Sequence, residues 1–272
     1  FHGGNNGTMG FDAFSKLAGF DAYYGKNEYK NAADFDGNWG IYDDAFFTFF
    51  AQQLNQEKSP FCSAFFSLSS HHPYSIPAKY KGKFPKGTLE IHESIAYTDY
   101  SLGRFFKMAS QMNWYKNTIF VITADHTSLS ESPYYKGKAG IYAVPILFFK
   151  GDNSLKEKSP ITAQQIDILP TLLDLINYNS DYFAFGKSLL KREENHFAIN
   201  YLNGVYQSIN KGNSLLFDGE KSIGYYDLKK DSLMNQNQLN QKNLAQKNQE
   251  EELKKFIQHF NSSLIQNKMT VK

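Results

Sequence analysis

Cysteine is almost absent from this sequence, which has one, Cys62, among its 272 residues. A single cysteine excludes a disulfide within the chain and a metal cluster held by several thiolates, and its apolar neighbours predict that it is buried and unreactive. The sequence also lacks an excess of one charge, because it has 29 lysines and arginines and 27 aspartates and glutamates. This balance favours no nucleic-acid partner. No stretch approaches the ~18 consecutive apolar residues that cross a bilayer, so these residues predict no membrane span.

Apolar and aromatic residues, in contrast, are plentiful. Hydrophobic residues make up 41% of the chain and aromatic residues 16%, which is enough to build a real core and excludes disorder for most of the sequence. The length favours one large domain or two small ones. Residue 1 is Phe rather than an initiator Met, so we expect the chain to be part of a longer protein.

Hydrophobic periodicity predicts alternating helices and strands over the first two thirds of the chain. Helices are expected at 11–18, where the apolar residues fall on one face, from Asp43 to Leu54 and from Ile91 to Met112. Another is expected around 167–176, where Leu172, Leu173 and Ile176 would be buried. Apolar strands are expected at 61–69, 118–123 and 144–149. Continuously apolar strands are typical of a sheet covered on both faces, so the pattern predicts a layered α/β fold.

The last third of the chain has a different character. Residues 191–230 predict a small subdomain of short strands and turns, and residues 231–272 predict a polar helical tail. The apolar spacing of Leu253, Phe256, Phe260 and Leu264 indicates that this tail is docked at its far end. A low-complexity linker is the alternative for the Asn/Gln/Lys-rich stretch at 235–249. In either case, residues 1–190 are expected to form the main domain.

The strand at 118–123 ends directly at Asp125 and His126. In layered α/β proteins ligands gather at the carboxyl ends of strands, and a carboxylate beside an imidazole can bind a divalent ion without thiolates. Taken alone, however, the pair is better explained by capping or simple solvent exposure.

Two histidines also follow the strand predicted at 61–69, and another lies in the first loop. His71 and His72 can donate to a phosphate or sulfate oxygen or act in acid–base chemistry, although a surface His-His before a proline is the plain alternative. In the glycine-rich loop at 1–10, His2 and Asn5 stand beside glycines that let backbone N–H groups approach an anion. A flexible surface loop is the alternative there.

Taken together and in order, these motifs resemble a known family. The segments are HGGNN, GFDAYYG, WGIYDDAFF, LSSHHPYSIP and ITADHTS. They are similar to the catalytic domain of lipoteichoic acid synthases and related phosphoglycerol transferases, in the sulfatase-like branch of the alkaline phosphatase superfamily. The resemblance runs from residue 1 to about residue 190. It implies a three-layer, mostly parallel, N-terminally truncated α/β fold with a C-terminal extension.

The resemblance also implies roles for individual residues. Asp125 and His126 match the family's metal-binding pair, His71 matches the histidine that contacts the substrate phosphate, and His2 matches a histidine of the head-group pocket. His72 and Asn5 would assist in binding substrate. The implied cofactor is a divalent metal, manganese or magnesium with zinc as the alternative. The family's nucleophilic threonine, its remaining metal ligands and its membrane helices lie before the position of Phe1.

The function implied is that of a membrane-anchored, extracytoplasmic enzyme of the bacterial cell envelope. It would move a phosphoglycerol-type head group from a phospholipid to an envelope acceptor through a phospho-threonine intermediate, and this chain alone would be inactive. One departure puts the donor lipid in doubt, because Met9 and Phe11 replace the family's Trp and Arg near the head group. The alternatives are a sulfatase or phosphodiesterase hydrolase on the same fold, and a non-catalytic glycan- or lipid-binding module.

Overall fold

The computed structural model describes residues 1–155, 157–192, 194–241 and 243–271. The α-helices are α1 (Phe11–Leu17), α2 (Asp43–Leu54), α3 (Ile91–Ala109), α4 (Pro133–Lys136), α5 (Ile168–Leu175) and α6 (Leu244–Ile265). The strands are β1 (Ile119–Thr123), β2 (Ile146–Lys150), β3 (Phe197–Leu202), β4 (Val205–Asn210), β5 (Asn213–Phe217) and β6 (Ser222–Asp227). Within the described ranges no helix is both long and apolar enough to cross a membrane.

The chain divides into two compact units, and the division crosses β1 and β2, which pair with each other. The first unit comprises Phe1–Phe120 and Phe149–Leu155, and the second comprises Val121–Phe148 and Lys156–Lys272. The predicted boundaries at 190/191 and 230/231 remain a prediction.

The core of the first unit is aromatic. Helices α2 and α3 pack against each other through Phe47, Phe50, Leu54 and Phe105, and Trp114 closes one end. Phe47 stacks on Phe65 with ring centroids 4.1 Å apart. Such offset pairs add to the hydrophobic gain from burying the rings, so these rings anchor the segment at 61–69 against the two helices.

That segment differs from the buried strand predicted for it. It is extended, but within the described part of the chain its one ladder contact is an isolated bridge between Phe66 and His2. Its side chains alternate between partly buried and exposed from residue 61 to residue 67, so only one face is covered. Cys62 lies on the open face and is exposed, which corrects the prediction that it is buried.

The apolar face of α1 is open to solvent, and the face predicted to be buried in α5 is buried only in part. Helix α1 forms, but Phe14 is 65% exposed and Leu17 89%. In α5 the buried positions are Pro170 and Thr171, whereas Ile176 is 58% exposed. The reason in α5 is polar: the Thr171 hydroxyl donates to the Asp167 carbonyl at 2.6 Å and accepts from the Leu189 N–H at 3.0 Å, which turns this face inward.

The second unit contains an antiparallel meander, β3-β4-β5-β6, which confirms the short strands predicted after residue 191. Helix α6 packs on it, with Leu253 buried against Leu215, Phe217 and Tyr225. The helix begins at residue 244, so a linker throughout 235–249 is wrong. The Gln249 amide in the first half donates to the Ser208 carbonyl at 2.8 Å, and in the second half Phe256 and Phe260 lie against Phe185, with ring centroids 5.8 Å and 5.3 Å apart. The docked face therefore includes the predicted residues of the second half, and the last turn is open, with Ile265 84% exposed.

Candidate active site

His2 begins a backbone segment that is held from two sides. Its N–H donates to the Tyr24 carbonyl at 3.0 Å, and it bridges in parallel to Phe66. Gly4 bridges to Gly40, where a Cβ would stand 2.5 Å from the Gly3 carbonyl oxygen. A side chain at residue 40 would therefore force the two segments apart, and glycine permits their close approach.

The His2 ring is buried, with 4% of the residue exposed. Its Nδ1 lies 3.1 Å from the Tyr23 hydroxyl, and its ring meets the edge of Phe11 at 5.0 Å. Burial lowers the pKa of His2, because the charged imidazolium loses its hydration there. His2 is thus a neutral group fixed in an aromatic wall, and its predicted role in a head-group pocket remains a prediction.

Asn5, the second residue predicted from this loop, is exposed, while its neighbour Asn6 holds the loop in place. The Asn6 amide donates to both carboxylate oxygens of Glu28 at 3.1 Å, and Glu28 also accepts from the Gly25 N–H at 2.7 Å. Asn6 therefore has a structural role in the loop, whereas the adjacent Asn5 is open to solvent. Asn5 keeps its predicted role in binding substrate as a prediction.

His71 and His72 lie at an exposed turn that follows the extended segment. The Nδ1 of His71 lies 2.9 Å from the His72 carbonyl oxygen, which also accepts a hydrogen bond from the Trp39 indole at 2.6 Å. The Trp39 ring lies against the His71 ring, with centroids 4.2 Å apart. Trp39 is a residue that our sequence reasoning missed; its only signal was its place in the WGIYDDAFF motif.

The backbone just before His71 is fixed by Asp43, which is buried at the start of α2. One carboxylate oxygen accepts from the Leu68 N–H at 2.9 Å, and the other accepts from the Thr98 hydroxyl at 2.9 Å and the Ser69 N–H at 3.3 Å. Burial raises the pKa of Asp43, although these donors oppose the shift. The sequence predicted only a helix start here, so this anchoring role was missed.

Asp44 sits beside Asp43 in a second buried network. Its carboxylate accepts from the hydroxyls of Tyr97 at 2.7 Å and Tyr80 at 2.8 Å, and it pairs with Lys79 at 3.0 Å and Arg104 at 3.2 Å. Burial favours the neutral acid, but the hydrogen bonds from Tyr97, Lys79 and Tyr80 outweigh it and lower the pKa of Asp44. Asp44 is therefore a charged, fully partnered structural group.

Asp125 and His126 follow β1 in the second unit and are open to solvent, with 53% and 71% of their side chains exposed. The Nδ1 of His126 lies 2.6 Å from the Thr127 carbonyl, and its Nε2 lies 3.2 Å from an Asp125 carboxylate oxygen. Gln165, another residue missed from the sequence, donates to the carbonyls of Ala124 at 2.7 Å and Asp125 at 3.2 Å. The turn bearing the pair is thus held by its backbone.

This donor set fits a divalent ion in part. A carbonyl can only accept, so the neutral His126 ring carries its proton on Nδ1, and its Nε2 lone pair faces the Asp125 carboxylate. Two acceptors that face each other with no proton between them suit a shared cation, and a carbonyl-bound histidine is the usual metal-ligand arrangement. Across the described residues no group of three or more potential ligands is found, so the pair is at most part of a metal site.

The structure brings some predicted residues together through shared neighbours. The segments bearing His2 and His71 meet at residues 39–41, since Gly4 bridges to Gly40 and Trp39 contacts His71. No hydrogen bond between His2 and His71 occurs within the described part of the chain. Asp125 and His126 form their own close pair in the second unit.

Comparison with known proteins supplies further information. A family model described as Sulfatase matches residues 1–178. The chain is 24% identical to lipoteichoic acid synthase 1 of Bacillus subtilis, over 75% of this chain and 35% of that protein. It is 26% identical to phosphoglycerol transferase I of Escherichia coli, over 69% of this chain and 26% of that protein. The chain thus spans about a third or less of the length of these relatives.

Solved structures agree on the fold. A protein in the alkaline phosphatase superfamily from Vibrio parahaemolyticus has a TM-score of 0.70 and 25% identity, over 84% of this chain and 57% of that one. A phosphonate monoester hydrolase of Agrobacterium radiobacter, at 14% identity and a TM-score of 0.59, is similar in fold alone. The predicted alkaline-phosphatase-like α/β fold is confirmed. Because the family model covers well over half of the chain, this chain belongs to the sulfatase family, within the alkaline phosphatase superfamily.

Proposed function

We propose that the protein is a phosphoglycerol-type transferase that moves a phospho head group from a phospholipid to an acceptor of the bacterial cell envelope. The observation that supports this most is the family match over residues 1–178, which contains every predicted site residue, with relatives named as lipoteichoic acid synthases and a phosphoglycerol transferase. In this proposal the catalytic domain lies outside the cytoplasm and is anchored to the membrane by residues outside this chain.

Asp125 and His126 would hold a divalent metal, manganese or magnesium with zinc as the alternative. When bound, such an ion activates a nucleophile and neutralises charge on the transferring phosphoryl group. Two ligands make a weak site, because affinity depends on ligand number and geometry. We therefore expect the remaining ligands and the nucleophilic threonine from parts of the protein outside this chain.

His71 would contact the phosphate. Its Nδ1 is engaged by the His72 carbonyl, so Nε2 is the nitrogen left for substrate. When the ring is protonated, Nε2–H donates to a phosphate oxygen and places positive charge beside it, which makes the hydrogen bond stronger than one between neutral groups. His72 and Asn5, both exposed, would add contacts to the head group.

The threonine oxygen would bond to phosphorus as the bond from phosphorus to the diacylglycerol oxygen breaks, so that diacylglycerol leaves as the alcohol and the phospho-threonine carries the head group. An acceptor hydroxyl would then displace the threonine oxygen from the same phosphorus, which restores the threonine and leaves the phospho head group on the acceptor. The donor lipid need not be phosphatidylglycerol. Phe11 packs on the His2 ring and Met9 is 75% exposed, and neither side chain can clamp a phosphate as the family's arginine would.

The test uses the full-length protein with Mn²⁺ and phospholipids carrying a radiolabelled head group, with phosphatidylglycerol and phosphatidylethanolamine in parallel. We expect label in an acceptor and a covalent phospho-adduct on the protein. His71→Ala and Asp125→Asn should each lower turnover by at least about 100-fold. His259→Gln, at an exposed position on α6, serves as the matched control and should keep full activity.

The other functions are outcomes of the same assay. Release of free head group without transfer would favour a phosphodiesterase, and release of sulfate from a sulfate ester supplied in a parallel reaction would favour a sulfatase; either result would overturn the proposal. Binding of lipid or glycan with no turnover and no adduct would favour a non-catalytic module. The 272-residue chain by itself should give no turnover, and measurable turnover would show that it supplies its own nucleophile and metal ligands.

A further inference from the structure

We propose that Trp39 is a positioning residue that sets the tautomer and orientation of His71 through the carbonyl group of His72. The functional meaning of this inference rests on the proposed function, because it assumes that His71 meets the substrate. The structural part can be tested without any activity. Trp39, His71 and His72 all lie in the first compact unit.

The loop that carries Trp39 is rigidly built. One carboxylate oxygen of Asp36 accepts hydrogen bonds from three successive backbone N–H groups, those of Asn38 at 2.8 Å, Trp39 at 2.8 Å and Gly40 at 3.0 Å. The Asp36 N–H in turn donates to the Gly40 carbonyl at 2.9 Å. The backbone at Trp39 is therefore fixed by a closed turn, and the indole is presented from a defined position.

The indole uses its only polar atom on the His71–His72 turn. Its Nε1–H donates to the His72 carbonyl oxygen at 2.6 Å, across 33 residues of sequence. The same oxygen lies 2.9 Å from Nδ1 of His71. A carbonyl has two lone pairs and no proton, so it accepts from both groups at once. The indole thus holds the carbonyl where the imidazole needs it.

The consequence concerns the two ring nitrogens of His71. A hydrogen bond at one nitrogen decides which nitrogen carries the proton in the neutral ring. Here Nδ1–H donates to the carbonyl, so in the neutral ring Nε2 carries the lone pair, and no hydrogen bond to Nε2 occurs within the described residues. The Trp39 ring, 4.2 Å from the imidazole and tilted by 60°, limits rotation of the histidine about its own side-chain bonds.

The chain offers a matched control, because it contains two tryptophans. Trp114 is buried in the α2–α3 core, and its Nε1 has no hydrogen-bond partner within the described residues. Trp39→Phe and Trp114→Phe therefore make the same chemical change. The first removes a hydrogen bond to the His72 carbonyl, and the second removes none.

The test is ¹⁵N NMR of the imidazole nitrogens in the full chain labelled at histidine, with His71 assigned by loss of its signals in His71→Gln. We expect the neutral His71 ring to carry its proton on Nδ1 in the parent and in Trp114→Phe. In Trp39→Phe the ratio of Nδ1–H to Nε2–H tautomers should fall by about threefold, the effect of losing part of one net hydrogen bond. An unchanged ratio, or an equal change in both variants, would overturn the inference.

A second pair of variants keeps the inference falsifiable if Trp39→Phe folds poorly. Asp36→Ala removes the oxygen that closes the turn and should shift the tautomer ratio in the same direction, whereas Asp36→Asn keeps an acceptor oxygen and should shift it less. In the full-length enzyme Trp39→Phe should lower kcat about tenfold with little change in KM, the pattern of lost orientation rather than lost binding. A parent without transfer activity would defeat the proposed function but leave the NMR result standing.

Discussion

Two pairs of adjacent polar residues in this molecule contrast sharply. Asp43 and Asp44 are 1% and 4% exposed, and each carboxylate accepts hydrogen bonds from several side chains or backbone N–H groups. Asp125 and His126 are more than half exposed and face each other across 3.2 Å. The fold meets the hydrogen-bonding capacity of the first pair, whereas the second pair is open to solvent. Satisfaction of the charge, more than the residue type, separates the structural pair from the pair that we propose to bind metal.

The largest effect is expected from Asp44→Asn, which tests whether the buried pair is structural. The amide cannot pair with Lys79 and Arg104, so we expect a loss of about 2–3 kcal/mol in the free energy of unfolding, measured with urea. The loss stays at the low end for buried pairs because both cations are about half exposed and can turn to water. Asp99→Asn, at an exposed position on α3, is the control and should change stability little.

The same carboxylate predicts acid sensitivity. A pKa lowered in the folded state contributes stability that is present above the unfolded value, near 3.8, and is lost as the pH falls through the folded value. Asp44→Asn should flatten this part of the stability curve, and an unaltered curve would contradict the charged state assigned to Asp44.

Asp43→Asn should have the next largest effect, about 2 kcal/mol, because one amide cannot accept from the Leu68 and Ser69 N–H groups and the Thr98 hydroxyl together. Urea unfolding measures the loss, again against Asp99→Asn. Since Asp43 also fixes the backbone before His71, faster amide hydrogen exchange at Leu68 and Ser69 should accompany it. Unchanged exchange there would show that Asp43 stabilises α2 alone.

His2 is a buried base, and its substitution should change stability less than that of either aspartate. Its pKa is lowered by burial, so the unfolded chain binds a proton more readily, and stability is full above the unfolded value near 6.5 and declines as the pH falls below it. His2→Gln should weaken this decline between pH 7.5 and 5, measured as the midpoint of thermal unfolding. His259→Gln should leave the decline unchanged, and equal behaviour of both variants would contradict the burial argument.

The smallest effect on stability is expected for the double variant Asp125→Asn with His126→Gln, which should stay within about 0.5 kcal/mol of the parent because both side chains are exposed. Retention of Mn²⁺ by the full-length protein should nevertheless fall by at least about tenfold, measured by metal analysis after dialysis. Asp181→Asn with His259→Gln is the matched control. A large loss of stability with metal retained would reverse the comparison between the two pairs.

Local sequence signals predicted where helices and strands begin better than they predicted which side chains are buried. The starts of α2 and α3, the strand β1 and the pair that follows it agree with the periodicity of the sequence, because these depend on neighbours a few residues away. The exposure of Phe14 and Leu17 in α1 and of Cys62 could not be predicted in this way. The spacing of apolar residues indicates which side chains share a face, but it does not indicate whether another part of the protein covers that face.

The residues of the candidate site also fall into those that the sequence could name and those that it could not. His2, His71, Asp125 and His126 could be named from ordered motifs, since the residue types themselves carry the chemistry. Trp39 and Asp43 could not, because their roles depend on a carbonyl 33 residues away and on two N–H groups about 25 residues away. The sequence by itself determined the family, most of the helices and strands, and the residues available for chemistry. Only the tertiary structure decided which carboxylates are buried and satisfied, and which carbonyl oxygen His71 shares with Trp39, because hydrogen-bond partners distant in the chain are involved in both.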